Sequence, residues 1–253
     1  MTTLRLQHYA PNRVSINGKR HYIVPPNMPV PEGTVLPSLT TVLSSTAPVG
    51  KIMALINWRK RVGDEEANRR TRMAADRGTW LHGLIEDSFN GEDIEQMLAL
   101  SPDYLPYWTA IEPFLETIDE CLLAESAIVY GFDDLGYTGT FDMLARMGDD
   151  LVLLDWKTSY KVKPEYQLAD YRQQLGGYSQ AIEQMYDLEI DRAICAIAVY
   201  DPEDPDSEPQ LQVDEQDSTE LLATGAIVKN RCRQYFDSHY PGGTPFTLTT
   251  DKG

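Results

Sequence analysis

The segment from Gly139 to Lys157 constrains this chain more than any other. It reads Gly-Thr-Phe-Asp, then a polar break at Gly148-Asp149-Asp150, then Leu-Val-Leu-Leu-Asp-Trp-Lys. Apolar, strand-like runs flank the break, and Gly-led pairs suit two-residue hairpin turns. With Gly148-Asp149 as the turn, Met147 pairs with Asp150, and the register sets Asp142 opposite Asp155. Facing Cβ atoms lie roughly 4.5–5.5 Å apart, and facing like charges destabilise a hairpin. Lys157 lies two residues past Asp155 and so projects from the same face. An Asp-x-Lys tripeptide alone usually means two solvated side chains on an exposed strand. The run Leu151–Trp156 is nearly all apolar, however, which predicts a strand covered on much of both faces. A buried carboxylate without a partner is costly. Two carboxylates and an ammonium converging on one sheet face therefore point to a divalent-cation site with a catalytic lysine beside it.

The remaining bulk properties narrow the class. With 253 residues, 42% of them hydrophobic, the chain suffices for one large domain or two small ones. No run approaches about 18 apolar residues, so no membrane span is expected, and the N-terminus has no apolar signal-peptide core. Arg5, Arg13, Lys19 and Arg20 precede the first acidic residue, Glu32, as in a transit peptide. Asn17-Gly18 between alternating residues instead makes Arg13–Val24 a hairpin. Cys121, Cys195 and Cys232 are far apart. They form no CxxC pair and are too few for a four-cysteine iron–sulfur cluster, so none is expected. A reducing cytosol fits best.

The net charge of −17 argues against a general nucleic-acid coating protein, since phosphate binding needs cations. The charge is uneven. Lys51 to Arg77 carries eight basic residues against four acidic ones, whereas Asp201 to Glu220 carries nine acidic residues and no basic one. The first run reads as a solvated helix face or one wall of a polyanion groove, the second as an acidic loop.

The predicted organisation is a hairpin and Pro-rich connector over 1–36, a helical region over 37–122, a mixed α/β core over 123–240 and a tail over 241–253. Ser38 is a candidate N-cap for a helix over Leu39–Ser45. Helical periodicity continues over Lys51–Val62, Asp64–Phe89 (with Asp64 as cap) and Pro102–Leu122. Strands are predicted at Leu123–Tyr130, Tyr137–Met147 and Leu151–Ser159, then a helix over Glu165–Tyr186. A buried strand over Arg192–Tyr200, a short edge strand at Gln210–Val213 and a helix over Ser218–His239 close the order.

Two i, i+4 pairs add polar groups. His82 and Glu86 share a helix face, as do Gln174 and Tyr178. Gly176-Gly177 inside the second helix costs roughly 1 kcal/mol per glycine relative to alanine, which predicts close packing on a sheet or a substrate strand. Trp58, Trp80 and Tyr178 are available to stack on bases, with core packing the plainer alternative for the tryptophans.

In order, Pro37-Ser38-Leu39-Thr40, Gly78-x-x-x-His82-x-x-x-Glu86, Gly136-Tyr137-x-Gly139-Thr140-x-Asp142, Asp155-Trp156-Lys157-Thr158-Ser159 and Gln174-x-x-x-Tyr178 resemble the PD-(D/E)XK nuclease superfamily. Within it they look most like the RecB-like branch, of the mitochondrial genome maintenance exonuclease type. Phe141 stands where the superfamily's name has proline, and the four-cysteine cluster of the helicase–nuclease relatives is absent. The resemblance implies a restriction-endonuclease-like core, a central mixed sheet flanked by helices, with a helical N-terminal elaboration. It also implies one or two Mg²⁺ or Mn²⁺ ions held by Asp142, Asp155, the Trp156 carbonyl and His82. Glu86 would orient a water or help a second ion, and Lys157 would position the attacking water and stabilise developing charge. Gln174 and Tyr178 would hold the scissile region, and Ser38, Thr40 and Ser159 are further candidates for phosphate contacts. Arg59 and Arg77, in the basic run, would line the DNA cleft.

The reading is a metal-dependent DNA exonuclease acting on single strands or frayed ends in replication, repair or recombination. A duplex-end recombination exonuclease, a structure-selective endonuclease and a DNA-binding module of nuclease fold are the competing readings. DNA is the expected partner, and no membrane is.

Overall fold

The structure, a computed structural model, describes residues 6–204 and 206–240, and the backbone of 246–247. The 241–253 tail otherwise lies outside the described residues. The N-terminal hairpin forms as Asn17-Gly18 dictates. Strands β1 (Arg13–Ile16) and β2 (Lys19–Ile23) pair antiparallel across it. Asn17 and Gly18 take φ of 51° and 74°, the left-handed pair that a tight hairpin turn requires.

The sequence predicts a Pro-rich connector after Val24. Its end is a strand, β3 (Thr34–Pro37), which pairs antiparallel with β2 and with β9 (Phe246–Thr247). Helix α1 (Leu39–Ser45) follows, and the Ser38 hydroxyl caps it by accepting from Thr41 N at 3.0 Å. Helix α2 (Val49–Val62) has no buried residue, and α3 (Asp64–Phe89) follows it. The cap of α3 is Gly63, at φ 87°, rather than Asp64. Asp64 is the first helical residue, and its carboxylate accepts from Arg59 instead.

The expected helix over Pro102–Leu122 is shorter, and an extra turn precedes it. These are α4 (Glu95–Leu100) and α5 (Leu105–Leu115). Pro106 falls in the first turn of α5, where a missing N–H costs little. The chain leaves the helix after Leu115 and enters β4 (Glu120–Phe132).

From there the order follows the sequence pattern. It runs β5 (Leu135–Met147), β6 (Asp150–Ser159), α6 (Glu165–Tyr186), β7 (Arg192–Val199), β8 (Gln210–Asp217) and α7 (Ser218–His239). Strand β8 is longer than expected because Asp214 and Gln216 are buried polar residues within it. The Asp214 carboxylate accepts from Arg172, and the Gln216 amide donates to Arg172 O.

The five long strands form one mixed sheet, β4-β5-β6-β7-β8, parallel only between β6 and β7. One face packs on α1, α6 and α7 through Leu39, Leu144, Leu153, Leu175 and Val228. The other packs on α3 and α5 through Leu81, Ile111, Met143, Leu154 and Trp156. An α/β core covered on both faces, with helices at its N-terminal side, is the architecture that the sequence predicted.

The glycine pair in α6 serves helix packing rather than a substrate strand. A Cβ on Gly176 would lie 2.7 Å from Gly225 N of α7, and one on Gly177 would lie 2.6 Å from Leu39 of α1.

Candidate active site

The β5–β6 hairpin has the predicted register, from Met147↔Asp150 to Met143↔Leu154. The ladder stops one pair short of Asp142 and Asp155. Beyond that point, among the described residues, β6 pairs only with β7, so the two carboxylates lie where the strands fork. Asp142 bridges the fork: its Oδ2 accepts from the backbone N–H of Trp156 at 2.7 Å. A side chain thus supplies the acceptor that the ladder no longer provides.

Both acids are buried, Asp155 almost completely. Asp155 forms an ion pair with Lys157 and accepts at Oδ1 from Gln174 Nε2 at 3.1 Å. Burial, with Asp142 adding to it, lifts the Asp155 carboxyl above the usual carboxylate range, and Lys157 opposes the rise. Burial pulls the Lys157 ammonium down, but Asp155 and then Asp142 outweigh it, so the lysine stays charged.

Gln174 also donates to the Tyr178 hydroxyl at 3.2 Å. Tyr178 is buried, and its ring lies on Gly139, where a Cβ would come within 2.8 Å of Tyr178 Cε1. The glycine three residues before Asp142 therefore makes room for the tyrosine whose partner steadies Asp155. The hydrogen bonds of Gln174 and Tyr178 go to Asp155 and to each other, and Tyr178 is enclosed rather than free to stack on a base.

Helix α3 brings His82 to the fork. Its Nε2 lies 2.9 Å from Trp156 O, and its Nδ1 lies 3.5 Å from both Asp142 Oδ1 and Glu125 Oε1. Lys157 also donates to Trp156 O, at 3.2 Å. The indole of Trp156 packs in the core, edge-on to Phe114, so only its backbone faces the polar cluster. Burial lowers the His82 pKa, but Asp142 and Glu125 outweigh it and raise the pKa to about 9.

Glu125 is the residue that sequence reasoning missed. It sits inside β4 at φ 47°, and the β4–β5 register passes from Ala124↔Met143 to Ser126↔Phe141 across it. That left-handed conformation, uncommon for a non-glycine residue, lies beside Asp142. The available signal was the polar pair Glu125-Ser126 interrupting an otherwise apolar strand. His82, Glu125 and Asp142 each offer a ligand atom, all within 4.8 Å of one another. One imidazole nitrogen and two carboxylates, with the Trp156 carbonyl beside them, fit a divalent cation that accepts oxygen and nitrogen donors.

The other predicted residues are placed as follows. Glu86 lines the same groove as His82, one turn along α3. The Ser38 hydroxyl is committed to the α1 cap and lies 3.0 Å from that of Thr40, which is exposed. Ser159 is buried and donates to Lys161 O at 2.7 Å, which fixes the exit of β6. Arg59 pairs with Asp64 at 2.9 Å. Arg77 is buried between the Tyr107 and Tyr160 rings, 4.7 Å and 4.4 Å from their centroids, and so offers no exposed charge. Trp80 packs against Tyr104.

This mixed sheet, flanked by helices, carries its two acids at a strand fork and a lysine two residues on. A model of the PD-(D/E)XK nuclease superfamily matches residues 56–243, and the chain belongs to that superfamily.

Among curated relatives, mitochondrial genome maintenance exonuclease 1 of Xenopus tropicalis is 27% identical over 207 residues, covering 76% of this chain and 58% of that one. The human protein of the same name is 26% identical over 145 residues, covering 56% of this chain and 41% of that one. The chain thus spans about half the length of the curated relatives it matches. A solved exonuclease-like structure from Eubacterium rectale aligns at 12% identity with a TM-score of 0.46, covering 71% of this chain and 72% of that one.

Proposed function

We propose that the chain is a divalent-metal-dependent exonuclease that hydrolyses phosphodiester bonds in DNA, acting on single strands or frayed ends. The observation that carries this reading is the convergence of His82, Glu125 and Asp142 beside the buried Asp155–Lys157 pair. His82, Glu125, Asp142 and the Trp156 carbonyl would hold the ion, with Asp155 adjoining. A divalent ion bound there supplies a nucleophile near neutral pH and neutralises charge on the phosphoryl oxygens.

The protein's own groups divide the remaining work. Lys157 keeps its proton and places a fixed positive charge where negative charge develops on the phosphoryl group. Gln174 holds Asp155 at one oxygen while Lys157 takes the other, so the carboxylate cannot rotate. The Asp142 bond to Trp156 N aims the neighbouring carbonyl at the same space. An imidazole donor suits Mn²⁺ better than Mg²⁺, so activity with Mn²⁺ should at least equal that with Mg²⁺.

The test is digestion of labelled single-stranded, duplex and circular DNA with Mn²⁺, repeated with Asp155→Ala. Shortening of linear single strands by wild type, and none by the variant, is the expected result. Cleavage of circles would replace the reading with an endonuclease, and binding without products would replace it with a DNA-binding module.

A further inference from the structure

The cations that the sequence assigned to a nucleic-acid cleft are mostly spoken for. Lys51 pairs with Asp170, Arg59 with Asp64, and both Arg69 and Arg70 with Glu66. Glu203 of the acidic loop lies 4.0 Å from Arg69 and from Arg70, and Arg77 is buried between its tyrosines.

A groove of about 660 Å³ opens instead between the fork and the N-terminal sheet. His82, Glu86 and Glu125 line one side, and His8, Arg13 and Arg20 the other. In β1–β2, Arg13 pairs with Tyr22 and Ser15 with Arg20. Directly paired residues share a face, as do residues two apart, so both guanidiniums project from the same side of the hairpin. Both residues are exposed. Among the described residues, neither has an ion pair.

Their backbone is nonetheless fixed. The carbonyl of Arg20 accepts from Ser38 N at 2.9 Å and from Thr41 Oγ1 at 3.0 Å, at the head of α1. The segment preceding β1 is tied to β4 next to Glu125: Tyr9 N donates to Ser126 Oγ at 3.0 Å, and Ala127 N donates to Tyr9 O at 2.8 Å. A rigid wall carrying two unpaired cations therefore faces the cluster on a protein of net charge −17. Arg13 and Arg20 also precede the stretch that matches the superfamily, which begins at residue 56.

We propose that Arg13 and Arg20 form a phosphate subsite that grips the nucleic-acid strand outside the scissile bond and leads it along the groove to the fork. The proposal rests on the nuclease reading above. Guanidiniums suit it because their fixed fork of N–H donors matches phosphate oxygens. Two such contacts give this acidic protein the local cation density that strand binding needs.

The test is fluorescence anisotropy of a labelled single-stranded oligonucleotide with the full chain in EDTA, across a KCl series. The Arg13→Gln/Arg20→Gln variant should bind about tenfold or more weakly. Its plot of log affinity against log salt should be shallower by about 1.4, near 0.7 for each lost contact. Arg13→Lys/Arg20→Lys should recover most of the slope, which a merely structural role for the arginines would not predict. Arg233→Gln, outside the groove, should leave the slope as it is. Wild-type affinity and slope in the double glutamine variant, with wild type still cutting DNA, would overturn the subsite alone. A wild type that neither binds nor cuts nucleic acid would overturn the subsite and the nuclease reading together.

Discussion

Asp142 Oδ2 accepts a hydrogen bond from Trp156 N at 2.7 Å, at the point where β5 and β6 part. One carboxylate thus closes the sheet locally and faces His82 with its other oxygen. The two roles separate by substitution. Asp142→Asn keeps an acceptor for Trp156 N and should abolish cleavage with little change in the urea midpoint. Asp142→Ala leaves a buried N–H unpaired, so it should be less stable than the asparagine variant by about 1–3 kcal/mol. Equal midpoints for the two variants would rule out the structural role.

Glu125 is expected to be a metal ligand. Glu125→Gln should weaken Mn²⁺ binding by at least about tenfold. The free-ion electron paramagnetic resonance signal reads this without turnover, and an unchanged affinity would remove Glu125 from the ligand set.

Gln174 should act through Asp155. Gln174→Leu frees Asp155 Oδ1 and the Tyr178 hydroxyl, and kcat should fall by about 10–100-fold, the usual range for groups that orient ligands. A change confined to KM would instead place the glutamine against substrate.

Gly139→Ala should be overpacked. Its methyl would press on the Tyr178 ring, and such insertions typically cost about 1–3 kcal/mol. A thermal melt equal to wild type would show that the ring has room to move.

His82 gives the metal-free protein a pH signature. Burial works against its charge, yet Asp142 and Glu125 raise its pKa from 6.5 to about 9. A group with a raised folded pKa binds its proton more tightly in the folded chain. Its contribution is therefore complete below about pH 6.5 and is lost as pH rises through about 9. In EDTA, the melting temperature of wild type should fall across that window more than that of His82→Gln. Parallel curves would contradict the assignment.

Much of this site could be read from the chain because its parts are close in sequence. The hairpin turn sets the register that brings Asp142 and Asp155 together, and Asp155-x-Lys157 needs only strand alternation. His82 needs only a helix. What stayed hidden depends on partners far along the chain. Glu125 reaches the cluster through a backbone conformation that no propensity assigns to glutamate. The charges of Arg59 and Arg77 looked available because spacing does not reveal Asp64 or a pair of tyrosines waiting for them. Thr34–Leu36 looked like connector because its strand partners lie in β2 and at residues 246–247.

The parting of β5 from β6 has a mechanical consequence. Past Leu154, the distance between the two acidic strands is governed by side-chain contacts instead of a rigid run of paired amides. On the proposed metal-binding reading, ions of unequal radius would be met by small shifts of the Asp142 side chain, without unzipping any of the sheet.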